Sequence, residues 1–255
     1  MALTVKRLPL EAHVVRRLLV NYRVDPAALE PELPFPLRPL LVGGWGVAGI
    51  CLIDLAQVGR HAAAGELGVR SENAAHRIAV EWDGEAGPCS GIYVIRRDTD
   101  SVLNALAGGR FFPGVHHRAG FHVVERNGEL HAHFASLEGD VTATLTVIPD
   151  QPFQPTTLFP TLEDASRFFA VGSPEYSVTR DPLRLDGVAL CSDSWQLESV
   201  GIADLSSSFF EDPARFPPGT AYLDSAFLMR ELPVQWRVLP SMRVHPRALQ
   251  AVAVG

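Results

Sequence analysis

Twenty prolines and 21 glycines are spread along all 255 residues, so no long uninterrupted helix fits this chain. Proline lacks a backbone donor and clashes inside a helix, and glycine weakens any regular element. Between them lie short runs rich in Val, Ile, Leu and aromatic residues. Runs of that kind, bounded by turn residues, read as about ten β-strands. No internal repeat and no domain-sized linker interrupts the pattern; the proline-dense stretch 31–39 is only a rigid connection. The chain therefore reads as one domain over 1–255. The fold class expected is α+β, mainly β, an antiparallel, barrel-like sheet with a few short helices.

Particular segments sharpen this. Val14–Val24 predicts a strand, although a helix over Glu11–Val20 also fits its apolar spacing. Asp25 then caps a short helix, with Pro26 at its first position. Leu40–Leu55 is an apolar run whose glycines predict bends or bulges. Arg77–Trp82 and Ser90–Arg96 read as neighbouring strands. Asp98 or Asp100 is the expected cap of a helix through Leu106, and Thr161–Ala170 reads as another helix. Later strands are expected at Val141–Ile148, Trp195–Leu205, Ala221–Met229 and Val234–Leu239.

The clearest local signal is a hairpin. Phe121–Arg126 and Glu129–Phe134 flank Asn127-Gly128, a two-residue turn that fixes the strand register. His122 then lies opposite His133, and Val124 opposite His131. Strand alternation puts His122, His131 and His133 on one face and Phe121, Val123, Leu130, Ala132 and Phe134 on the other. The His face is either a three-His metal site or a polar surface in contact with water or a cavity.

Charge and composition exclude several functions. Of the 22 basic residues, 21 are Arg and one, Lys6, is Lys. No Gly-rich loop carries a Lys, so no Walker-type phosphate loop is present. The net charge of -7 argues against a nucleic-acid partner. No apolar run reaches the roughly 18 residues of a membrane span. Basic residues interrupt any signal-peptide core near the start, which points to the cytoplasm. Cys51, Cys89 and Cys191 lack metal spacing and read as reduced, mostly buried thiols. No cofactor is implied.

The segment Gly91-Ile92-Tyr93-Val94-Ile95, Asp98-Thr99-Asp100, then Gly109-Arg110-Phe111-Phe112-Pro113-Gly114-Val115-His116-His117 has a familiar order. A strand enters a short helix, a Gly-Arg pair ends it, and a Pro/Gly turn leads to two ionisable residues. Asn21-Tyr22-Arg23-Val24-Asp25-Pro26 with Leu29 and Leu33-Pro34 matches in its turn. Over residues 15–150 this layout resembles the acetoacetate decarboxylase-like superfamily, and within it a bacterial branch called YqjF-like. The resemblance implies a cone-shaped antiparallel barrel with an internal small-molecule pocket.

It also implies a departure. In the decarboxylases the paired positions are Lys-Lys, and the first Lys forms a Schiff base. Here they are His116 and His117, and imidazole forms no stable iminium. The resemblance leaves acid-base chemistry on a small organic acid or carbonyl compound, with His116 or His117 moving the proton. Arg23 and Arg110 stand where an anion is held, and Glu72 where the family places a functional carboxylate. Adjacent His116 and His117 point to opposite faces of a strand, so at most one need enter the pocket. The alternative is a non-catalytic binder of a mostly apolar ligand. Short strand edges leave room for a homo-oligomer.

Trp45, Trp82, Trp195 and Trp236 read as core or cavity wall. Ser206-Ser207-Ser208 reads as a loop or helix start, since no nucleophile elbow surrounds it.

Overall fold

The structure is a computed structural model that describes residues 10–59, 70–107, 114–171 and 174–246. Its first half runs β1 (Leu10–Val24), α1 (Pro26–Leu29), β2 (Arg38–Pro39), β3 (Leu41–Val42), β4 (Trp45–Gly59), β5 (Ser71–Gly84), β6 (Gly87–Thr99) and α2 (Val102–Ala107). Then come β7 (His117–Arg126), β8 (Glu129–Ser136), β9 (Thr142–Ile148), α3 (Leu162–Val171), β10 (Pro174–Val178) and β11 (Arg184–Cys191). β12 (Glu198–Ser199), β13 (Gly201–Ser207) and β14 (Ala221–Arg243) complete the described chain.

Fourteen described strands form one sheet. Pairings run in a closed circuit, β6-β10-β11-β14-β1-β4-β5 and back to β6, so the sheet curls into a seven-stranded ring. The expected all-antiparallel pattern needs correction. β6 pairs in parallel with β10 (Tyr176 beside Tyr93) and with β7 (Asp98 beside His117). From that second junction the meander β7-β8-β9-β13 leaves the ring as a separate flap.

Both faces of the ring are buried, which explains why its strands lack clean alternation. On β1, Leu18, Val20, Tyr22 and Val24 join a core shared with Ala132, Phe134, Ala143 and Leu145 of the flap. Leu19 faces the other way, with Cys51, Ala75, Phe227, Met229 and the α3 residues Ala165 and Phe169. That second core fills the ring interior. The helix alternative for Glu11–Val20 fails because β1 pairs on both edges, with β14 and β4.

Asp25 caps α1 as expected, its carboxylate accepting from the Ala27 N–H at 2.9 Å. Thr161 caps α3, its hydroxyl accepting from the Asp164 N–H at 3.0 Å. The hairpin register is also as read, with His122 opposite His133 and Val124 opposite His131. Leu130, Ala132 and Phe134 are buried on its other face.

Other readings change. Asp98 and Asp100 are engaged elsewhere: Asp98 accepts from Arg96 and Asp100 from the Glu72 N–H. Gly43 and Gly44 make the turn from β3 to β4, while Gly49 lies inside β4, against the Val20 carbonyl. Ala221–Met229 and Val234–Leu239 are one strand, β14, which continues through an irregularity at Glu231 (φ 51°). Ser206 and Ser207 end β13, and the Ser208 hydroxyl accepts from the Thr142 N–H at 2.9 Å. Trp195 lies outside β12 and β13, and β10 and β11 carried no clear sequence signal.

Candidate functional site

Every ring strand contributes to one buried pocket of about 60 Å³. Its apolar wall includes Val14, Leu55, Val188, Leu190 and Trp236; its polar wall is Arg17, Asn73, Arg97, Asp98, His116 and Glu175. No helix among the described residues is long and apolar enough to cross a membrane.

His116 reaches this pocket because of how its segment is pinned. The Val115 N–H donates to the Val178 carbonyl at 3.0 Å, tying the chain to β10. Gly114 sits at φ 93°, and a Cβ there would come within 2.6 Å of the Ser177 Cβ. A side chain is therefore excluded on both backbone and steric grounds. The next residue, His117, opens β7 and faces away, its Nδ1 3.0 Å from a Glu138 carboxylate oxygen. Of the two histidines, His116, one residue before β7, lines the pocket, and His117 does not.

The His116 imidazole is pushed down to about 3, first by burial and then by the Arg97 guanidinium. It is neutral at pH 7. Arg97 is itself fixed by β10. It donates to the Ser177 hydroxyl at 3.0 and 3.1 Å and to the Glu175 carboxylate at 3.1 Å. Across the pocket, Arg17 comes within 3.8 Å of the other Glu175 oxygen. Its Nε–H donates to the Cys51 sulfur at 3.3 Å. One carboxylate thus stands between two cations.

The other candidates lie apart from this pocket's lining. Glu72 forms a two-point ion pair with Arg16 at 2.7 and 2.8 Å, and burial nevertheless raises its pKa. Arg23 stacks over Tyr222 (4.9 Å) and Trp45 (5.6 Å), with Asp224 at 3.7 Å. Arg110 and Lys6 lie outside the described residues. On the His face of the flap, the His131 and His133 Nδ1 atoms engage the Thr146 and Thr144 hydroxyls at 3.1 and 2.9 Å. Among the described residues, no group of three or more His, Cys, Asp or Glu is arranged to hold a metal ion.

Arg17, Arg97 and Glu175 are the residues that sequence reading missed. A signal existed for the arginines: Arg17 interrupts the apolar run Val14–Val20, and Arg97 lies two residues past Gly91–Ile95. A charged residue inside such a run needs a buried partner or a pocket. Glu175 carried no comparable signal.

No family model and no curated protein matches the sequence. Solved structures do match in fold. An acetoacetate decarboxylase from Legionella pneumophila aligns at TM-score 0.57 and 14% identity, over 91% of this chain and 88% of that one. An acetoacetate decarboxylase-like enzyme from Sphingomonas wittichii aligns at TM-score 0.57 and 14% identity, over 94% of both chains. The enduracididine biosynthesis enzyme MppR, in complex with pyruvate, aligns at TM-score 0.52 and 18% identity, over 93% and 92%. The fold is acetoacetate decarboxylase-like. Identities this low carry the architecture alone and do not reach the YqjF-like branch.

Proposed function

We propose that the ring pocket binds a small organic acid or carbonyl compound and that His116 exchanges a proton with it, without a Schiff base. The observation that carries this reading is His116 in the wall of a buried pocket beside Arg97. Neutral imidazole offers one donor and one acceptor to a ligand. An anion bound next to Arg97 would offset that cation and raise the imidazole toward the range useful for proton transfer. Arg97 is already held in place by Glu175 and Ser177, so little ordering is needed when the anion arrives. Three free cysteines fit a reducing, cytoplasmic setting.

A second reading, a non-catalytic binder, is favoured by the depressed imidazole itself. A base near 3 is far from the pKa that suits catalysis at neutral pH. The apolar wall would then supply most of the affinity.

A thermal-shift panel of small carboxylates and carbonyl compounds tests the site. Wild type and His117→Ala should respond alike, and His116→Ala should lose most of the shift. A ligand that stabilises His116→Ala as well as wild type would remove His116 from the site. Deuterium exchange next to the ligand carbonyl then separates the two readings. Exchange catalysed by wild type and lost in His116→Ala supports the enzyme; binding without exchange supports the binder.

Borohydride reduction with acetoacetate or pyruvate should leave the protein mass unchanged, because Lys6 is the one lysine. A mass increase mapped to Lys6 would overturn the exclusion of Schiff-base chemistry.

A further inference from the structure

Next to the pocket, the ring interior holds buried donors that have no acceptor among the described residues. Arg17 and Arg77 are 7% and 4% exposed, on β1 and β5. Neither makes a close carboxylate pair. Arg17 approaches Glu175 only at 3.8 Å, and Arg77 donates to the Asn21 side-chain oxygen at 2.5 Å. The Asn21 amide in turn donates to Ser225 at 3.3 Å. Arg17 lies over the Trp195 ring at 5.3 Å, and Arg77 over Phe169 at 5.0 Å. Cys51 is within electrostatic reach of both guanidiniums.

Three donors of this layer have no protein acceptor among the described residues: Arg17 Nη1, Arg77 Nε and Trp195 Nε1. Two of the orphaned acceptors lie away from this layer. Asp224 Oδ2 belongs to the carboxylate beside Arg23, and Ser207 Oγ to β13. A buried, unpaired guanidinium donor is costly. Water satisfies a donor only if its own hydrogens find acceptors. An anion needs none, and it also offsets the two cations.

We propose that this layer holds a small monovalent anion the size of chloride, bound by Arg17 Nη1 and Trp195 Nε1 with Arg77 as the second cation. The proposal rests on the orphaned donors and not on the role of His116. Its occupant is either a free halide or the carboxylate of a small ligand, and the test separates the two.

The full chain, prepared without chloride, is melted at constant ionic strength while chloride replaces the bulkier methanesulfonate. The melting temperature should rise and saturate. Trp195→Phe keeps the ring and removes the N–H; it should move the chloride midpoint about tenfold higher, as loss of one charge-assisted hydrogen bond implies. Bromide-soaked crystals should show an anomalous peak within hydrogen-bond distance of Arg17 Nη1 and Trp195 Nε1. Formate displacing that bromide would support one shared site for halide and carboxylate. Formate bound there with bromide excluded would overturn the halide-sized site and assign these donors to the pocket ligand. Melting curves independent of the anion, with water and no anomalous peak, would overturn the proposal while leaving the His116 panel unaffected.

Discussion

Glu175→Leu is expected to destabilise the protein by about 3–5 kcal/mol, the cost of leaving buried charges without their partner. Glu175 is the carboxylate between Arg97 and Arg17, at 3.1 and 3.8 Å. All three side chains are less than one-fifth exposed, so water cannot replace the lost contact cheaply. The strand that carries Glu175 makes the parallel joint with β6, so relaxation of β10 would also loosen ring closure. Glu175→Gln keeps a hydrogen-bond acceptor for Arg97 and removes the charge, and should fall between Leu and wild type. Denaturant melts at pH 7 check this order. Equal stability of Glu175→Leu and wild type would mean that the arginines are not held by this carboxylate.

Glu175 also marks the limit of what the sequence could tell. Local chemistry was legible where neighbours in sequence decide it. Asn127-Gly128 sets a hairpin register by turn geometry alone, and the observed pairs are those expected. Asp25-Pro26 starts a helix because cap and first turn are adjacent. The alternation rule admitted at most one of His116 and His117 to the pocket without saying which; His116 lines it and His117 meets Glu138 on the flap side.

Ring closure was not legible in this way. It depends on β6 pairing with β10, some 80 residues further on, through a parallel contact of three residues. Such a short, non-local joint leaves no periodic trace. The site followed the same division. His116 was a candidate from its sequence context, whereas Arg17, Arg97 and Glu175, which share its pocket, come from three strands that meet only when the ring closes. Arg23, a candidate anion holder by resemblance, lies apart from the pocket lining and stacks on Trp45 and Tyr222. The resemblance carried the architecture and not the polar groups inside it.

His76 supplies the second large expected effect, and it concerns acid. The ring is fully buried among Phe134, Phe209 and Phe210, with centroids at 6.1, 4.3 and 6.3 Å. Neither nitrogen has a hydrogen-bond partner among the described residues. Burial, then Arg96 and Arg215, push its pKa down to about 3 from an unfolded value near 6.5. Between those values the unfolded chain binds a proton that the folded chain refuses. Stability is therefore lost as pH falls below 6.5, and the loss stops near 3. The slope is about 1.4 kcal/mol per pH unit for one such group. His116 adds a loss of the same sign over the same window. Carboxylates whose pKa is raised by burial, such as Glu72 and Asp98, act in the opposite direction, so the total curve mixes several groups. A difference measurement isolates His76. His76→Phe fills the same aromatic box without a titratable nitrogen. Relative to its effect at pH 7, the substitution should be about 3 kcal/mol more favourable at pH 4.5, because two pH units of His76 linkage disappear. Urea melts of the two proteins between pH 7 and 4.5 provide the comparison. Parallel pH dependence would show that His76 is protonated within the fold without penalty, which this aromatic surrounding does not account for.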